Sequence, residues 1–205
     1  MAVVSISRQY GAGGRIMGEK IAEKLGYRLV DRAILTEVAH KAGVSVRSVQ
    51  DVEQEAGGLL SRLVNELVKA SPYVRNLPDY SATFDEEAYR AFLKKVIGEM
   101  AGQGNLVVVG RGSQLILRDT PGVVRVLLVA SEEDRIERLM RHYKLDREHA
   151  EQVARREEKK RLAFLRAFAA GEPDDPSLYH LVINTSLVKL DLAADLVTQV
   201  AQAQA

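Results

Sequence analysis

The chain has 205 residues, 46% of them hydrophobic, with 29 Lys and Arg against 28 Asp and Glu and neither cysteine nor tryptophan. That length can bury a real core and predicts one globular domain with room for a mobile subdomain, while the missing cysteines exclude disulfides, thiolate metal sites and a cysteine nucleophile. A net charge of +1 with interspersed signs argues against a dedicated nucleic-acid binder, which carries a strong basic excess.

The four histidines, His40, His142, His149 and His180, show no paired ligand spacing, so no metal ligand is assigned from them. No apolar run approaches the roughly 18 residues of a membrane span. Residues 1–5 lack the basic start and long apolar stretch of a signal peptide, so a cytoplasmic protein is expected.

Residues 2–7 form a β-branched run that ends in Gly11-Ala12-Gly13-Gly14. Apolar residues at helical spacing follow, Ile16, Met17, Ile21, Ala22 and Leu25, closed by Gly26. The pattern predicts a strand, a glycine turn and a helix. A second strand over 27–30 runs into Asp31; residues 32–70 read as helical with breaks at Gly43 and Gly57-Gly58, and 71–84, holding Pro72 and Pro78, as a loop. A helix over 86–101 leads into Leu106-Val107-Val108-Val109, a run too continuous for a half-exposed strand and expected of a central parallel one. Strands over 123–129 and 181–184 and helices over 132–141, 146–170 and 190–203 complete the chain. Five short strands alternating with helices predict a mostly parallel α/β sheet.

Three features bear on chemistry. Glycines between a strand and a helix let the backbone approach a ligand and aim unpaired N–H groups at an anion, which makes phosphate the natural occupant; a plain tight turn is the alternative. The loop departs from the Walker A pattern G-x-x-x-x-G-K-[ST]. If Gly13 closes it, Gly14 replaces the lysine and Arg15 the hydroxyl residue; if Gly14 closes it, Arg15 takes the lysine position and Ile16 the hydroxyl position.

Gly110-Arg111-Gly112 is the second, placed at the carboxyl end of a central strand where ligands of open α/β sheets bind. An arginine there suits a bidentate grip on phosphate or carboxylate, against the alternative of a solvated turn. The third is the basic run Arg155-Arg156, Lys159-Lys160-Arg161 and Arg166, in which Arg155, Lys159 and Arg166 share roughly one helix face. It would close over a polyphosphate, or be a solvated helix balanced by Glu157 and Glu158. A fourth stretch, residues 37–49, resembles the helix-turn-helix of lactose-repressor-type regulators in Ala39, Gly43 and Val49. Asp51, Glu53 and Glu55 after Arg47 oppose phosphate binding, and two packed helices with Ser45 as N-cap fit better.

The opening Ile6-Ser7-Arg8-Gln9-Tyr10-Gly11-Ala12-Gly13-Gly14-Arg15, the Val108-Val109-Gly110-Arg111-Gly112 segment, and Asp174-Asp175-Pro176-Ser177 with Tyr179 through Ser186 together resemble the cytidylate-kinase-like family, a branch of the nucleoside monophosphate kinases. The resemblance implies a P-loop-type three-layer α/β/α fold with a five-stranded parallel sheet. It divides the chain into a core (1–31, 105–145 and 178–205), a helical acceptor-binding insertion (about 32–104) and a helical lid (about 146–177).

It further implies transfer of the γ-phosphoryl of ATP, with Mg²⁺, onto a nucleoside monophosphate, CMP or dCMP. Nucleotides are the implied partners, with no membrane and no nucleic acid; a nucleotide-binding protein of the same fold without transfer is the alternative. Arg8, Gly11, Ala12, Gly13, Gly14 and Arg15 fall on the loop around the ATP phosphates. Asp31 and Arg111 fall on the acceptor side, Lys159, Arg161 and Arg166 in the lid, and Arg15, Arg111 and the lid cations would meet the charge of the transferred group. Two departures stand out: Gly112 replaces the aspartate of the Gly-Arg-Asp kinases, and the Walker lysine and hydroxyl are absent.

Overall fold

The computed structural model describes residues 2–31, 86–166, 168 and 171–204, with the backbone alone for 86–92. The helical patterns of 32–70, the loop of 71–84 and the helix-turn-helix-like stretch lie outside the described residues. Backbone contacts divide the chain into one unit of Met1–Asp31 with Ile97–Ala205 and another of Arg32–Val96.

The β-branched runs of the three central strands are covered on both faces, whereas the two edge strands are partly exposed. β1 (Val3–Arg8), β2 (Arg28–Val30), β3 (Leu106–Val109), β4 (Val123–Val129) and β5 (Leu181–Asn184) pair in the order β2-β3-β1-β4-β5. Every pairing is parallel. Leu106 to Val109 are all buried, as their unbroken apolar run requires.

Six α-helices occur among the described residues: α1 (Gly14–Leu25), α2 (Glu86–Gly102), α3 (Ser113–Ile116), α4 (Glu132–Tyr143), α5 (Arg147–Arg166) and α6 (Leu190–Ala203). The short α3 and a 3₁₀ turn at Pro176–Leu178 have no periodicity long enough to read in the sequence. The helix expected over 146–170 is α5, Arg147–Arg166; residues 167, 169 and 170 lie outside the described residues.

Met17, Ile21 and Ala22 of α1 and Ala193, Ala194, Val197 and Ala201 of α6 join Val4, Ile6, Val107, Val124, Val126 and Leu128 in one core. Small alanines let α6 lie close to the sheet. Gly18 does the same for α1: a Cβ there would fall 2.6 Å from Val109 Cγ2. Ile136 and Leu139 of α4 pack on Ala150 and Ala154 of α5 in a separate cluster that Tyr10 touches. The first half of α5 is thus fastened to α4 beside the glycine loop.

Candidate functional site

The carboxyl ends of β1 and β3 carry the two glycine turns. After β1 the loop is anchored to β4, for Gln9 N–H donates to the Leu128 carbonyl oxygen at 2.9 Å and Gln9 Oε1 accepts Ala130 N–H at 3.0 Å. Gly11 and Gly13 have φ of 89° and 84°. A Cβ on Gly11 would meet Arg135 Cβ and its carbonyl oxygen at 2.9 Å, so glycine is demanded by contact as well as by φ.

The loop's carbonyls are taken up from outside it. Ala12 O accepts the Thr185 hydroxyl at 3.0 Å, and Arg138 reaches Gly11 O at 3.4 Å while also donating to Thr185 O at 2.7 Å. Helix α1 then starts at Gly14 with no side-chain cap and no acidic residue in its first turn. Its first N–H groups and the positive end of its dipole are left for an anion.

After β3, Gly110, Arg111 and Gly112 are all left-handed, with φ of 80°, 58° and 68°. For arginine that conformation costs about 1–2 kcal/mol. Gly110 N–H donates to Ile6 O at 2.8 Å, which holds the turn on β1. The Arg8 guanidinium lies directly against Gly110. Its pKa is pushed below the ordinary value first by burial, with Asp31 pulling it up and the charges of Arg111 and Arg161 pressing it down. Arg8, Arg111, Arg161 and Asp31 therefore share one electrostatic neighbourhood at the sheet edge.

Helix α5 contributes a half-buried arginine network. Arg161 donates to Glu158 at 2.6 Å and to Asp174 at 3.0 Å. Burial opposes its charge, yet the hydrogen bonds to Asp174 and Glu158 prevail and raise its pKa above the ordinary value. Glu158 in turn accepts the backbone N–H of Tyr10 at 2.7 Å. Nearby, the Tyr179 hydroxyl donates to Pro173 O at 2.6 Å, and burial raises its pKa beside Ser7 and the Gln114 amide. That amide is itself buried.

The sequence profile of the cytidylate kinase-like family matches residues 3–187. The chain belongs to the cytidylate kinase-like family. No curated protein matches it. Among solved structures, it is similar to an uncharacterized protein from Eubacterium ventriosum, with 19% identity, 99% of each chain covered and a TM-score of 0.67. It is also similar to the shikimate kinase of Acinetobacter baumannii in complex with shikimate (18% identity, 99% of this chain and 94% of that one, TM-score 0.54). The shikimate kinase of Bacteroides thetaiotaomicron follows at 14% identity, 98% and 96% coverage and a TM-score of 0.51. At such identities the likeness concerns the fold, which is that of the P-loop kinases.

Of the residues singled out in the sequence of this family member, the structure gathers Arg8, Asp31, Arg111 and Arg161, with Arg8 lying against Gly14 of the loop that Gly11, Ala12 and Gly13 also form. Arg15 is placed differently: 65% of its side chain is exposed, and Glu19 holds it at 2.9 Å along α1. Lys159 and Arg166 line a cleft of about 360 Å³ between α4 and α5, together with Arg155, Arg135, Glu132 and Glu158. Arg155, Lys159 and Arg166 do share a face, and the face is partly neutralised: Arg155 pairs with Glu132 at 3.5 Å and Arg166 with Glu172 at 3.3 Å.

Sequence reasoning missed Glu158, Asp174, Arg138 and Thr185 as parts of the site. Thr185 carried a local signal, since it directly follows the last strand at the ligand-binding edge.

Proposed function

We propose that the protein is a phosphotransferase that moves the γ-phosphoryl of ATP to a nucleoside monophosphate, CMP or dCMP first among them. The observation that carries this reading is Arg111, kept in a left-handed conformation between two glycines beside Arg8 and Asp31, at the edge where the glycine loop opens. Strain of this kind persists where a side chain has to be aimed. In this assignment the loop amides from Gly11 to Gly14 and Arg8 hold the ATP phosphates, and Arg111 grips the acceptor phosphate through its planar fork. Arg161 is the lid cation nearest the transferred group. Arg15, Lys159 and Arg166 act at longer range, and Asp31 marks the acceptor side.

These residues suit a polyphosphate, since loose phosphoryl transfer asks for positioning and charge neutralisation more than for covalent chemistry. Among the described residues no three His, Cys, Asp or Glu side chains cluster as a metal cage. Asp31 is the carboxylate facing Arg8, and Mg²⁺ bound there would take most of its ligands from phosphate and water, as it ordinarily does. When bound it neutralises charge between phosphates. No helix among the described residues is long and apolar enough to cross a membrane, and nucleotides are the partners we assign. We place the acceptor-binding segment at about 32–104 and the lid at about 146–177.

The test is ADP release with ATP and Mg²⁺ and, in turn, CMP, dCMP, UMP, AMP and shikimate. Turnover with CMP or dCMP above the others is expected. No turnover with any acceptor at high enzyme concentration, beside tight ATP binding, would replace the kinase by a binding protein, the reading that the missing Walker lysine and hydroxyl favour.

A further inference from the structure

The structure chooses between the two ways of counting the loop. Gly13 is the left-handed residue before α1 and Gly14 the first helical one. A six-residue loop closed by Gly13 starts at Arg8, so Gly14 stands on the Walker lysine position and Arg8 on that of the first Walker glycine. These two departures from the motif touch each other. A Cβ on Gly14 would lie 2.7 Å from Arg8 Cγ and 2.9 Å from Arg8 Cδ, and one on Gly110 would lie 2.0 Å from Arg8 Nη1. The Arg8 stem thus fills the space through which a side chain at residue 14 would have to leave. Its guanidinium ends against the turn after β3, next to Arg111.

We propose that Arg8 is the cation that replaces the Walker lysine, reaching the phosphates from the first position of the loop instead of from the first turn of α1. The exchange is steric: an arginine at the first position requires glycine at the seventh, and a lysine at the seventh requires glycine at the first. The inference rests on the phosphate-loop reading above and adds to it the source of the missing charge. A guanidinium in this place offers two parallel N–H groups to neighbouring phosphate oxygens, a geometry an ammonium lacks. Burial between Gly14 and Gly110 fixes the stem, so little side-chain freedom is left to lose on binding.

The experiment measures calorimetric binding of inorganic tripolyphosphate, without acceptor, to the full chain and to Arg8→Met, Gly14→Lys and Arg8→Gly/Gly14→Lys, with thermal unfolding of each free protein. Methionine keeps an apolar stem over Gly14 and removes the charge. Arg8→Met is expected to fold as the parent does and to bind about tenfold or more weakly, the weight of a charge-assisted contact. Gly14→Lys alone is expected to unfold at a lower temperature and to bind weakly, and the double variant to recover both properties to within about threefold in affinity of the parent.

The proposal is overturned if the parent does not bind tripolyphosphate, or if Arg8→Met binds like the parent. It is equally overturned if Gly14→Lys is as stable as the parent, or if the double variant is no better than Gly14→Lys. Because the probe needs no acceptor, failure of CMP turnover with these affinities intact would strike the acceptor assignment and leave Arg8 in its role.

Discussion

The Glu158 carboxylate accepts the backbone N–H of Tyr10 at 2.7 Å, joining α5 to the glycine loop across 148 residues of sequence. The same carboxylate receives the Arg161 guanidinium, which is also held by Asp174. Loop, helix and the segment before β5 are therefore fastened at one point. Removing the acceptor leaves a part-buried N–H and a part-buried cation each short of a partner. Glu158→Ala is expected to lower stability by about 1–3 kcal/mol, the cost of unsatisfied buried groups. Glu158→Gln, which still accepts Tyr10 N–H, should lose less than half as much. Urea unfolding of the two variants checks this; equal losses would show that the Tyr10 bond contributes nothing.

Arg111 offers a cleaner separation of folding from binding. Its φ of 58° is one that glycine adopts without cost, so Arg111→Gly should leave stability unchanged or raise it by up to about 1 kcal/mol. CMP binding should fall by about tenfold or more through loss of a charge-assisted grip. A stability loss above about 1 kcal/mol would mark Arg111 as a structural residue, its guanidinium engaged in holding the turn.

Much of this arrangement could be read beforehand. Leu106 to Val109 announced a covered central strand because no polar residue interrupts them, and the glycine clusters announced turns because only glycine adopts such φ values cheaply. The match of Leu181–Asn184 and Leu190–Ala203 to the expected last strand and helix has a similar origin, a short continuous apolar run followed by apolar residues at helical spacing.

What sequence could not carry was contact between distant positions. That Arg8 lies over Gly14 and Gly110 is a matter of side-chain direction at the end of β1. That Arg138 and Thr185 hold the loop's carbonyls depends on where α4 and β5 arrive in space. Charge spacing along α5 likewise gave a face but not its partners: Arg161 differs from Arg155 and Arg166 in being largely covered and paired with Glu158 and Asp174.

Thr185 tests how far the loop depends on its outer supports. Its hydroxyl is within reach of Ala12 O at 3.0 Å and receives Arg138 Nη1 at 3.0 Å. Thr185→Val keeps the shape and removes these two bonds and the longer reach to Val129 O at 3.3 Å, taking the hydroxyl donor from the Ala12 carbonyl, at an expected cost of about 1–3 kcal/mol. Thr185→Ser should restore most of it. If the loop's form also depends on this support, tripolyphosphate affinity falls with Thr185→Val and returns with Thr185→Ser. Unchanged affinity in the valine variant would show that Gln9 and the contact of Gly11 with Arg135 suffice to hold the loop.

His180 supplies a pH dependence away from the site. Its Nδ1 accepts the backbone N–H of Arg125 at 2.9 Å, which requires a lone pair on that nitrogen and so the neutral ring. Burial, and then the Arg125 charge, lower its pKa from the ordinary 6.5. A base whose pKa is lowered by folding binds fewer protons folded than unfolded, so stability rises with pH through this window. The contribution is complete above about pH 6.5 and is lost as the pH falls below it, until the folded-state pKa is passed. His180→Asn offers an amide oxygen to the same N–H and does not titrate. Thermal unfolding at pH 7.5 and 5.5 should therefore show a larger drop for the parent than for the variant, the carboxylates being common to both. Equal drops would show that the Arg125 N–H does not select the neutral ring.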